Sequence, residues 1–60
     1  MKILVRYKIQ DRVLETVCAS CAAASGAMGS MPGVKVHSAV EILDKDVDKY
    51  PMWPNARKLV

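Results

Sequence analysis

Cys18-Ala19-Ser20-Cys21 holds the first residues whose type and spacing could do chemistry. Two thiols at this interval bind soft metal ions or cycle between dithiol and disulfide. Redox use needs the pair at a helix N-terminus, where the dipole lowers the pKa of the attacking thiol. The apolar periodicity instead starts a helix near Arg12, leaving both cysteines almost two turns inside it. Val17 also stands where thioredoxin-like motifs carry an aromatic residue. The expectation is therefore two small buried hydrophobes and no cofactor, with Cys18 and Cys21 as a copper, zinc or redox site the alternative. His37 does not complete a zinc site, because strand alternation points it away from Val36 and Val40, which are expected to pack on the helix. Asp44, Asp46 and Asp48 copy the first three ligand positions of a calcium loop. Lys49 replaces its glycine and Asn55 its final glutamate, so they read as a solvated turn. One histidine, no paired general acid and base, and no glycine-rich phosphate loop give no reason to expect an enzyme.

The elements that must position these groups can be read from apolar spacing. Lys2 to Ile9 alternates, with Ile3, Val5, Tyr7 and Ile9 on one side and Lys2, Arg6 and Lys8 on the other, Leu4 being the exception. That predicts a half-buried strand with a basic outer face. Leu14, Val17, Cys21, Ala24, Met28 and Met31 then recur at intervals of three and four, which predicts a helix from about Arg12 to Met28 with Asp11 as its N-cap. Pro32-Gly33 makes a turn, and Val34 to Leu43 reads as a second strand. Residues 44–60 form a charged turn and a tail whose end, Ala56 to Val60, suits a short edge strand. The fold class is α+β: a single small domain over 1–60, with a β–α–β core in 1–43, a short third strand, and one helix on a two- to three-stranded sheet. Strands that are direct neighbours would run parallel.

Thr16-Val17-Cys18-Ala19-Ser20-Cys21, with Pro32-Gly33-Val34 later, resembles the metal-binding loop and first helix of heavy-metal-associated domains, the copper-chaperone family. The resemblance implies that Cys18 and Cys21 are thiolate ligands for a monovalent copper ion. It covers about twenty residues and departs at Thr16, where the family has Met. The interval from the cysteines to Pro-Gly is one residue short. A first strand should also run directly into the loop, whereas Asp11 to Val17 intervenes.

The helix has a further peculiarity. From Thr16 through Val34 no residue is charged, although 25% of the chain is. Its face away from the sheet would be Ala19, Ala22, Ala23, Gly26, Ala27 and Ser30. A surface helix normally carries ions there, so this face is expected to meet a partner. Lys2, Arg6, Lys8 and Lys35 form a basic sheet face that would steer such a partner, in keeping with a net charge of +3. Trp53, between two prolines, is a lid over the core or a further anchor. A chain of 60 residues buries only about 60% of its unfolded surface. Folds this small often rely on a second subunit.

These features together describe a small non-enzymatic interaction module of the adaptor, regulator or phage-inhibitor kind. It would dock on a macromolecular partner, protein rather than nucleic acid, or on itself as a homo-oligomer. Binding of nucleic acid through the basic face is an alternative. Arg6 and Lys8 interrupt any leader-like apolar run, and Ala, Ser and Gly gain little from lipid, so a cytoplasmic chain without membrane insertion is expected.

Overall fold

The computed structural model describes residues 1–60. In chain order it has β1 (Lys2–Ile9), β2 (Arg12–Cys18), α1 (Cys21–Gly29), β3 (Lys35–Ile42), a 3-10 helix (Asp44–Lys49) and β4 (Arg57–Lys58). The strands form one antiparallel sheet in the order β3-β1-β2-β4. The α+β class stands. The β–α–β core does not, because the chain runs β–β–α–β and no strand of the ladder pairs in parallel.

The difference arises at Arg12–Cys18, which is a strand and not the first half of a helix. Val13, Thr16 and Val17 are β-branched and stiff at χ1, which suits a pleated sheet better than a helix. Leu14 and Val17 stand at a helical interval, yet in β2 they face opposite sides of the sheet, opposite Tyr7 and Leu4 respectively. A two-residue turn at Gln10-Asp11 joins the strands. Gln10 takes φ +55°, a left-handed conformation that glycine or asparagine adopts more readily. Asp11 therefore lies in a hairpin turn and caps no helix.

The helix begins at Cys21. Ser20 is its N-cap, and the Ser20 Oγ accepts a hydrogen bond from the Ala23 amide at 3.1 Å. Ala24, Ala27 and Met28 turn one face onto Ile3, Val5, Tyr7 and Cys18. Gly33, at φ +76°, supplies the positive angle of the turn into β3.

The C-terminal segment closes the outer edge of β2 along its length. Val13 accepts a hydrogen bond from the Leu59 amide at 2.7 Å, β4 pairs with Leu14 and Glu15, and the Val17 amide donates to the Pro51 carbonyl at 2.9 Å. The expected short strand at 56–60 is thus present as Arg57–Lys58, on β2.

Candidate functional site

Cross-strand register sorts every strand residue onto one of two faces. Ile3, Val5 and Tyr7 face the helix, and the residues opposite them on β3 are Glu41, Ala39 and Val36. Lys2, Leu4, Arg6 and Lys8 face away, opposite Ile42, Val40, Ser38 and Lys35. The four cations of the expected basic face therefore do share one surface. The expected alternation of β3 is corrected by a bulge between Arg6 and Tyr7. His37 is the extra residue there, and Val36 and Val40 consequently lie on opposite faces.

The bulged strand is also the open edge of the sheet. The helix sits over β1 and β2 and leaves β3 uncovered. Val36 is 47% exposed on the helix side and Val40 is 51% exposed on the other. Between α1 and β3 lies an apolar groove of about 320 Å³. Ile3 and Val5 form its floor, Cys21, Ala24 and Met28 one wall, and Val36 and Ala39 the other. The chain uses its last ten residues to cover one edge and leaves this one, with apolar side chains on both faces, unprotected.

On the face away from the helix, Glu15 is buried at 1% exposure and receives two arginines. Arg6 Nε lies 3.3 Å from Glu15 Oε2, and the Arg57 guanidinium binds Oε1. Arg57 also lies over the Tyr50 ring, 5.5 Å from its centroid. This ion cluster pins β4 to β2, and its one local signal is a lone acid between Leu14 and Val17. Lys8 and Lys35 stand directly opposite one another. Like charges so placed repel, and the one carboxylate on this face is already engaged by the two arginines.

The cysteines lie at the junction of β2 and α1. Cys18 ends the strand and is buried, whereas Cys21 opens the helix and is exposed at the groove. The expectation of two buried cysteines inside a helix is corrected: neither lies in its interior, only Cys18 is buried, and a strand runs directly into the Cys-Ala-Ser-Cys segment. Burial pushes the Cys18 thiol pKa up. No third histidine, cysteine, aspartate or glutamate joins the pair as a cluster that could hold a metal.

The small-residue face is displaced from its expected position. Ala19 lies outside the helix, in the bend before it, and Ala27 is buried against the sheet. Ala22, Ala23, Gly26 and Ser30 are exposed. Trp53 is half-buried against the core, as a lid would be, and its amide donates to the Val17 carbonyl at 2.9 Å. Asp44, Asp46 and Asp48 lie in the 3-10 helix, where Asp46 pairs with Lys49 at 3.1 Å.

No protein-family model matches the chain, and comparison with curated proteins and with solved structures gives no match. No helix is long and apolar enough to cross a membrane.

Proposed function

We propose that this chain is a small non-enzymatic interaction module that docks a protein partner through the β3 edge and the apolar groove beside it. One observation carries the reading: Val36 and Val40 stand exposed on opposite faces of β3, the one long strand at an edge of the sheet. An exposed edge is a row of free backbone donors and acceptors, and an incoming strand can take them up. A strand that is apolar on both faces gives the newcomer side-chain contacts above and below the sheet. The basic face of Lys2, Arg6, Lys8 and Lys35 supplies long-range attraction to acidic surfaces. The exposed residues Ala22, Ala23 and Gly26 permit close approach beside the groove, and their role is secondary to that of β3.

A paired capture from the native host tests this reading. Protein retained by the wild type is expected to be lost with Val40→Lys, which puts a charge on the edge, and kept with Ala22→Glu on the helix. Retention by Val40→Lys, or loss only with Ala22→Glu, would move the docking surface away from β3.

A further inference from the structure

We infer that the occupant of the β3 edge is the β3 strand of a second copy of this chain, running antiparallel about a two-fold axis at Ala39. The inference rests on the reading of β3 as the docking edge and specifies what docks there.

Charge along the strand supports it. Lys35 and His37 lie at one end of β3, with Lys8 beside Lys35, whereas Glu41 and then Asp44 lie at the other. A strand with a basic start and an acidic finish opposes itself in parallel and complements itself in antiparallel. With the axis at Ala39, His37 stands opposite the partner's Glu41, and Lys35 comes within one residue of the partner's Asp44. Each contact occurs twice, as an isologous interface requires.

Facing agrees with this register from Ser38 to Val40, whereas Val36 and Ile42, set on opposite faces by the bulge, fall opposite one another where the pairing ends. Directly opposed residues of an antiparallel pair share a face. Ala39 lies on the helix side and meets its own equivalent there, the smallest side chain of the strand at its most crowded point. Ser38 and Val40 both lie on the other side and oppose one another across the axis, so each half-exposed Val40 gains a lateral neighbour. Moving the register by one residue would set helix-side residues against back-side ones. The result is one continuous sheet of eight strands with both helices on the same face, ended at each extremity by a β4 and C-terminal tail. The pairing removes the long open edge and leaves only the two-residue β4 at each extremity.

A single strand pair buries less than a standard interface, so association in the micromolar range is expected. Sedimentation of the full chain from about 5 to 500 μM reads it directly. The wild type is expected to approach twice 6.6 kDa. Val40→Lys and Glu41→Lys should each remain at the monomer mass with an unchanged circular dichroism spectrum. Adding His37→Glu to Glu41→Lys reverses the cross-axis pair and should restore the dimer.

A dimer that survives both single variants overturns the inference and the docking edge together. A wild type that stays monomeric throughout overturns the second copy. In that case a labelled synthetic peptide of residues 34–44 decides the edge itself. Saturable binding that Val40→Lys abolishes keeps the edge as a strand acceptor, and no binding removes it.

Discussion

At the scale of single residues, the two cysteines differ more than their spacing suggests. Cys18 is sealed beside Tyr7 under α1, and Cys21 is open to solvent at the first helical position. Burial raises the Cys18 pKa above its ordinary value of 9.0. Tyr7 is likewise raised above 10.0, first by burial and then by the charge that Cys18 would carry. The consequence for stability has a definite sign. Above the ordinary thiol value the unfolded chain releases protons that the folded chain retains, so the native state binds more protons and stability falls with pH. The contribution is complete below 9.0 and is lost as pH rises through the elevated native values. The urea midpoint is therefore expected to hold steady between about pH 7 and 8.5 and then decline, with Cys18→Ala shallower over the first part of the fall. A midpoint constant to about pH 11 would show that neither group is held protonated by the fold.

At the scale of elements, the parts read correctly from sequence were those whose pattern has one interpretation. β1 alternates with Leu4 as its one exception, and the expected β3 ends within a residue of the observed strand on each side. The helix was misplaced because Leu14, Val17 and Cys21 satisfy a helical interval by coincidence, while Val13, Glu15 and Val17 satisfy a strand interval beside it. The turn that would have decided between them carries Gln-Asp and not Asn-Gly, so the hairpin gave no local signal. The basic face was legible because it depends on β1 alone. The groove was not, since it arises from a strand order that no local pattern encodes.

The same scale makes Thr16 informative. Its hydroxyl is completely buried and lies 2.6 Å from the Asn55 carbonyl and 3.3 Å from that of Pro51. It joins the two parts of the tail that close the edge of β2. Thr16→Val keeps the shape and removes the donor to the Asn55 carbonyl, while the Pro51 carbonyl keeps the Val17 amide, so a loss of about 0.5–1.5 kcal/mol is expected. Hydrogen exchange should quicken most at the Val17 and Trp53 amides, which bond across that seam. Faster exchange spread evenly over β1 and α1 would mean that the tail is part of the global unfolding unit.

At the scale of the whole molecule, the core is thin: 11 of 60 residues are buried, and the helix contributes only Ala24, Ala27 and Met28 to it. A core of this size rarely leaves more than about 3–5 kcal/mol of net stability. Any contact made only by the folded chain is then a sizeable fraction of the total and appears in the melting temperature through mass action. For a domain of this length 1 kcal/mol moves the midpoint by about 4–8 °C. If β3 pairs with a second copy, a hundredfold rise in concentration should raise the wild-type midpoint by several degrees, up to roughly 5–10 °C. Val40→Lys should melt at the same temperature at every concentration, close to that of dilute wild type, because the substituted side chain is already half-exposed in the monomer. A wild-type midpoint equally indifferent to concentration would mean that this small fold sustains itself with its edge bare. The exposed valines of β3 would then reflect tolerance of an apolar edge, in a strand whose bulge interrupts the regular row of donors and acceptors.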